Sequence, residues 1–480
     1  MEPEILQELE QTVVVSESPF QRLRKIIGLD RAIIYTIFAR GWASAAGLVT
    51  IALIARFLSS AEQGYYYTFG SLVALQLVFE LGFSMVIQQM ASHECAHLKI
   101  TDKDMIEGNP VGHARLASVL QKSVRWYSIA SILMLCTIAP AGLYFFTTHG
   151  SANQIVSWHG PWLLVALMSS MAFQIDPVFS FLEGCGYVPQ VAQTRFSQAI
   201  TGSLLAWSAL ALHHGLFAPA MMIAGQVLAG GFYLLRRRRL LISLLRHEPG
   251  THRIQWWKEV WPFQWRIAIS SLSGYFIFQL FIPVLFAYWG PVPAGQMGMS
   301  LNISNALLSI SISWVSTKMP LFGTLIARKE YGQLDHVFFR VLLQSSAVCL
   351  LGSFTTWTVI SAMHARGYAL AHRMLPPLPF GILLLSMMVN HIVFCEALYL
   401  RAHKQEKFLT ISILVAVFMT CSTYLLGRPF GAIGMVSGYL SINACIALGG
   451  GTYTFLKYRT LWHGDGGLPV PSMLGEESPS

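Results

Sequence analysis

Twelve apolar runs, each about 20 residues long and nearly free of charge, constrain this chain more than any other feature. They fall near 33–56, 65–90, 126–148, 161–182, 190–212, 216–235, 262–288, 296–318, 337–362, 374–399, 408–427 and 431–456. A helix of about 20 apolar residues crosses the roughly 30 Å hydrocarbon layer of a bilayer while satisfying its own backbone hydrogen bonds. Only 11% of residues are charged and 54% are hydrophobic, against about 25% charged in an ordinary soluble domain. The runs do not alternate as the strands of a membrane barrel do. The expected fold is all-α and integral to the membrane, with about twelve transmembrane helices.

Charge then orients the helices. Of 32 Lys and Arg residues, 24 fall on one side if both termini are cytoplasmic, four on the other (Arg56, Arg366, Arg373, Arg428), and four within helices. That asymmetry is the positive-inside pattern. It also accounts for the net charge of +9 without a nucleic-acid partner. The run "RRRR" (236–239) reads as a cytoplasmic anchor beside anionic lipid. The acidic, polar N-terminus does not read as a signal peptide. The seven cysteines show no C-x-x-C pair, so neither a disulfide framework nor a cysteine metal site is expected. No cofactor is expected.

The basic stretch at 236–261 divides the chain into two six-helix halves, 33–235 and 262–456, between cytoplasmic tails 1–32 and 457–480. The halves echo each other. "LSSAEQGYYY" (58–67) and "GPVPAGQMGM" (290–299) are both short turns after the first helix of a half, with Gly64 and Gly295 in equivalent places. Duplication of this kind is common in transporters, in which one half rocks against the other around a midplane site.

Polar residues inside the spans are the functional candidates, because a charge at the bilayer centre costs about 2.5–3.5 kcal/mol on insertion scales. Gln76, Glu80, Ser84 and Gln88, spaced at four, form a polar stripe on the second run. Asn302, Asn305, Ser309, Ser313 and Ser316 form another on the eighth, ending beside Lys318. Two such stripes on equivalent helices imply a central hydrophilic cavity between the halves. Arg40 and Arg266, also on equivalent helices, suit a diphosphate through forked hydrogen bonds. Asp176, with Ser180 and Glu183, Arg195 with Gln198, and Asn390 with His391 and Glu396 complete the set. Glu80 and Asp176 are the candidate carboxylates for a coupling ion. For each, hydrogen bonding between helices or snorkelling to the interface is the alternative.

The segment "ARFLSSAEQGYYYTFGSLVALQLVFELGFSMVIQQMASHE" (55–94) resembles the start of polysaccharide-repeat-unit flippases of the multidrug/oligosaccharidyl-lipid/polysaccharide exporter superfamily. The matching features are Arg56–Ser59, the Glu62–Tyr66 turn and Glu80-Leu81-Gly82. In the second half Pro293 stands where Glu62 does in the first. The resemblance implies a flippase moving a polyprenyl-diphosphate-linked oligosaccharide across a bacterial inner membrane by alternating access, driven by the membrane potential or a coupled H+ or Na+. It implies membrane lipids as neighbours and no enzyme activity. The sequence carries no G-x-x-x-x-G-K-[ST] loop.

Three rival readings follow from other features. A cation-coupled drug exporter of the same superfamily would want a more apolar or acidic cavity. A glycan polymerase or ligase would need a larger loop outside the membrane. The third is an intramembrane zinc protease, because "SHECAHL" (92–98) spells H-E-x-x-H with His93, Glu94 and His97. That motif lacks an evident third ligand and follows the apolar core of its helix, so His93 and His97 are weak metal candidates.

Overall fold

The computed structural model describes residues 31–463, except 97, 102–105, 151–155, 249, 251–252, 404 and 406. Residues 1–30 and 464–480 of the tails, and His97, therefore lie outside the described residues. The chain is an all-α membrane protein with two lobes. Seven described helices are long and apolar enough to cross a membrane, eight if one bent helix counts as a single span. The Leu409–His463 unit counts once in that tally but folds back on itself. Three further membrane-length helices, α1 (Arg31–Phe57), α7 (Val188–Ala211) and α12 (Pro291–Ser316), complete twelve traverses among the described residues. α7 and α12 are less apolar because polar side chains are spread along them.

Several helices depart from the expected boundaries. The second run is three helices: α2 (Ser60–Val73), α3 (Gln76–Glu80) and α4 (Phe83–Cys95). The chain bends by 44° between α3 and α4, where Leu81 and Gly82 both take left-handed backbone. A Cβ at Gly82 would overlap the Ile267 side chain, so glycine is required there. The bend divides the expected stripe, placing Gln76 and Glu80 on one side of it and Ser84 and Gln88 on the other. A short hairpin, β1 (Leu98–Ile100) and β2 (Ile106–Gly108), follows. The third run begins much earlier than expected, as α5 (Pro110–His149), capped by Asn109. Then come α6 (His159–Gly184), α7 and α8 (Ala218–Arg236).

The linker contains α9 (Arg238–Arg246), an amphipathic helix that buries Leu240 and Leu244 and leaves its arginines outside. The second lobe comprises α10 (Trp261–Phe278), α11 (Phe281–Trp289), α12, α13 (Met319–Ala327), α14 (Tyr331–Ala365), α15 (Pro377–Ala402), α16 (Leu409–Ile442) and α17 (Gly449–His463). α16 is two arms joined at Gly431, whose backbone is left-handed. A Cβ at Gly434 would overlap the Leu426 carbonyl, and one at Gly438 the Ser422 hydroxyl. Residues 16 apart meet in this way only in a tight antiparallel hairpin, which is the turn between the last two traverses.

The lobes meet where α2 crosses α12. Ser59 and Glu62 start α2 as a capping box: Ser59 Oγ accepts from Glu62 N–H at 3.1 Å, and Glu62 Oε2 accepts from Ser59 N–H at 2.8 Å. That places Gly64 one turn in, against the start of α12. A Cβ at Gly64 would overlap the Pro291 carbonyl, and one at Gly295 would lie 2.9 Å from Gly64 N. The equivalent glycines of the two halves thus face each other. Around them, Phe286 of α11 meets Tyr65 edge-on at 4.9 Å and Phe146 at 5.4 Å. This end is called the far end below, and the end with most Lys and Arg the basic end. We expect Gly64→Ala to cost about 1–3 kcal/mol through overpacking against backbone. Gly70→Ala, with open space at its Cβ, should be neutral or stabilising, as thermal unfolding of the purified protein would show.

Candidate transport cavity

The far end is sealed by hydrogen bonds as well as by packing. Gln63 is buried, and its amide donates to Gly295 O and Arg373 O, both at 2.9 Å. The Arg373 guanidinium donates to Leu58 O at 2.5 Å, and Leu375 N–H donates to Ser300 Oγ at 3.0 Å. Neither Gln63 nor Arg373 was marked by the sequence as a site. Gln63 sits in the "SSAEQGYYY" motif, and Arg373 counted only as one of four charges on that side.

Beyond the crossing, toward the basic end, come the two polar faces. Among the described residues, no hydrogen bond or ion pair joins 76–95 to 302–316. On α12, Asn302, Asn305 and Ser309 are exposed and Ser313 and Ser316 half-buried, while Leu301, Ser304, Leu308, Ser311 and Val315 on the opposite face are buried. Asn305, Ser309, Ser313 and Ser316 line a cavity of about 370 Å³ with Phe394 across from them. No charged side chain lines it among the described residues. Ser313 Oγ donates to Ser309 O at 2.8 Å and Ser316 Oγ to Ser313 O at 3.2 Å. Their remaining lone pairs are acceptors, suited to hydroxyl donors. Lys318 is exposed just beyond this face.

The first lobe presents a different surface. Glu80, Glu183 and Arg195 all lie within electrostatic reach of Asp176. Arg195 Nε donates to Glu183 at 3.2 Å, and its guanidinium is 4.0 Å from Asp176. Arg195 is therefore a counter-ion to carboxylates rather than a free cationic site. Ser84 shares a 3.1 Å hydrogen bond with Tyr127 across to α5. Gln76 and Glu80 are half-buried, and Gln88 is exposed. Gln198 donates to Gln226 O at 3.0 Å, tying α7 to α8.

Other candidates pack helices together. Asn390 is buried and donates to the Tyr439 hydroxyl, joining α15 to α16. His391 meets Ser345 at 3.0 Å, and Glu396 accepts from Thr452 at 2.8 Å. Asn390 is thus occupied by a neighbouring helix and does not face the cavity with Asn305 and Ser309. Arg40 lies in α1 and Arg266 in α10, and their side chains lie outside the described residues.

The H-E-x-x-H motif has a structural partner of its own. Glu94 is buried, and its Oε1 accepts from Arg115 Nε at 2.8 Å. Arg115 also donates to Glu259 at 2.6 Å, bridging the first lobe to the segment entering α10. A general base would need Glu94 free, whereas Arg115 holds it, and His93 is 85% exposed. No cluster of three metal-ligating residues occurs among the described residues. At the basic end of the second lobe a similar tie, missed in the sequence, binds Asp335 to Arg459 at 2.7 Å and to the Tyr399 hydroxyl at 2.6 Å. The seven cysteines are free thiols, with Cys95 and Cys185 facing each other at 3.0 Å.

Comparisons with known proteins bear on the fold. No family model and no curated protein matches the sequence. Among solved structures, the chain is similar to lipid II flippase MurJ in an inward closed conformation, with a TM-score of 0.58 and 13% identity over 89% of this chain and 90% of that one. It is similar to an inward-facing multidrug resistance MATE family transporter of the MOP superfamily, with a TM-score of 0.56 and 13% identity over 87% and 99%. A third similarity is to the Vibrio cholerae MATE transporter VcmN, with a TM-score of 0.53 and 15% identity over 89% and 95%. The chain has the two-lobed fold of these transporters.

Burial alone would raise the Glu259 carboxyl, but hydrogen bonds from Arg115 and Gln255 N–H outweigh it and hold it below the ordinary range. A carboxyl depressed in the folded state adds stability above its unfolded value, about 4.5, and loses it as pH falls through the folded one. Arg115→Ala should therefore lower the thermal midpoint at neutral pH, with the deficit shrinking in acid as Glu259 takes up a proton. Purified protein should contain no stoichiometric zinc, and metal analysis of the wild type and His93→Ala checks this.

Proposed function

We propose that the chain is a flippase that moves a polyprenyl-diphosphate-linked oligosaccharide across the bacterial inner membrane by alternating access, without enzyme chemistry. The observation that carries this reading is the uncharged face of α12. Asn305, Ser309, Ser313 and Ser316 offer amide groups and hydroxyl lone pairs opposite an aromatic ring, Phe394. Sugar hydroxyls pair with such groups, and the apolar face of a sugar ring packs on an aromatic side chain. Lys318 beyond the serines, with Arg40 and Arg266, would meet the diphosphate. The 55–94 resemblance and the fold shared with a lipid II flippase support the same class. In this reading 33–235 and 262–456 are the moving halves, 236–261 is the linker, and both termini are cytoplasmic. Glu80 and Asp176, beside Arg195, are the carboxylates for a coupled H+ or Na+.

One observation favours a second reading, a cation-coupled drug exporter. In the first lobe three carboxylates, Glu80, Asp176 and Glu183, stand against one paired arginine. The two readings separate in a deletion strain. The flippase reading expects lipid-linked repeat units to accumulate in the cytoplasmic leaflet while efflux of cationic dyes is unchanged. Even distribution of those units with lost dye efflux would reverse the choice. Arg40→Ala and Arg266→Ala should each abolish export of the glycan while leaving membrane insertion intact. Wild-type export by both would remove the diphosphate clamp.

A further inference from the structure

A second cavity, of about 350 Å³, lies away from the polar faces, at the seam between lobes near the basic end. Its walls come from three places: Leu81 and Phe83 at the α3–α4 bend, Lys122, Arg125, Trp126 and Ile129 on α5, and Trp256, Trp261 and Gln264 at the entrance to α10. Ile129 is 57% exposed, and Trp126 and Trp261 are each 42% exposed. Tryptophans beside basic residues where an apolar run begins mark the headgroup level of a bilayer. The cavity therefore opens toward lipid.

Three features give it chemistry. Arg125 is exposed, and no hydrogen bond or ion pair holds it among the described residues. Lys122 sits one turn before it, with its ammonium on the Ile254 carbonyl. Gln264 is only 3% exposed, yet its Oε1 is buried without a partner. A buried amide oxygen left unpaired is uncommon and calls for a donor. A ligand for this site thus needs an anion for Arg125 and Lys122, a hydroxyl for Gln264 and a chain for the apolar walls.

Size narrows the class. At about 30 Å³ per water-sized group, the cavity holds roughly a dozen such groups, which suits a phosphate and a glycerol but not an oligosaccharide. We propose that this cavity binds an anionic glycerophospholipid of the surrounding leaflet, with its phosphate on Arg125 and Lys122 and a headgroup hydroxyl on Gln264 Oε1. The lipid would touch both sides of the seam. Trp256 meets Phe83 across it with ring centroids 4.6 Å apart and planes tilted by 31°, and the same 256–260 turn carries Glu259, the partner of Arg115. Binding would hold the basic end in the arrangement described. The site does not rest on the flippase reading.

The test uses full-length, delipidated protein and phosphatidylglycerol, read by native mass spectrometry and by thermal shift. Wild type should retain one phosphatidylglycerol and gain thermal stability from it. Arg125→Gln, a change at an exposed position, should weaken retention about tenfold, the scale of one lost charge-assisted hydrogen bond. Gln264→Leu should weaken it as well, and Gln264→Glu further by repelling the phosphate. Phosphatidylcholine and soluble glycerol-3-phosphate should give neither retention nor shift. Wild-type retention by Arg125→Gln would overturn the proposal. So would equal binding of phosphatidylcholine, equal binding of free glycerol-3-phosphate, or tighter binding of a polyprenyl diphosphate.

Discussion

The close approach of α2 and α12 at Gly64 and Gly295 is the contact on which the rest of the arrangement depends. Lipid tails are as apolar as leucine, so two lobes in a bilayer gain little by simply hiding hydrophobic surface from each other. They adhere where small residues let backbones touch and polar groups bond across. Both conditions are met here. The glycines bring the helices into backbone contact, Gln63 and Arg373 bond across them, and Phe286 inserts among Tyr65 and Phe146. Past that contact, the 44° bend turns the lower part of the helix.

The two lobes spend their polar residues differently. In the first, carboxylates gather around one arginine, an arrangement suited to exchanging a small cation. In the second, α12 shows neutral amides and hydroxyls, suited to an extended uncharged partner. The basic end is tied by ion pairs outside the apolar layer, Glu94–Arg115–Glu259 on one side and Asp335–Arg459 on the other. Of these, Arg115–Glu259 reaches from the first lobe to the segment entering α10, whereas Asp335–Arg459 ties α14 to α17 within the second lobe.

Much of this was legible in the sequence because bilayer thickness imposes a length on every traverse. The twelve runs and the all-α class follow from that length, and the two-lobed plan from the basic stretch at 236–261 and the echo between the halves. Breaks inside runs were not legible: nothing in "FELGFS" announces that Leu81 joins Gly82 in left-handed backbone, since Ile267, almost 200 positions away, sets that need. The equivalence of Gly64 and Gly295 was visible, but their contact was not, because the register between lobes is a tertiary property. Glu62 stood out as a motif residue and proves to be half of a capping box. The role of Glu94 in the H-E-x-x-H spelling was hidden for a related reason. Glu94 is committed to Arg115, 21 positions on, and spacing within one helix cannot show a partner on the next. Asn390 was marked as a cavity residue by its polarity alone, and Tyr439 claims it.

If the far-end seal is one of two closures in an alternating cycle, it must open each time the substrate crosses. Electron–electron distance measurements between spin labels at Arg56→Cys and His372→Cys, two exposed positions flanking the Leu58–Arg373 bond, test this directly in reconstituted protein under transport conditions. The account expects the short distance of the described state together with a second, longer one that grows when lipid-linked glycan is supplied. A single short distance under conditions in which the glycan demonstrably crosses would contradict it.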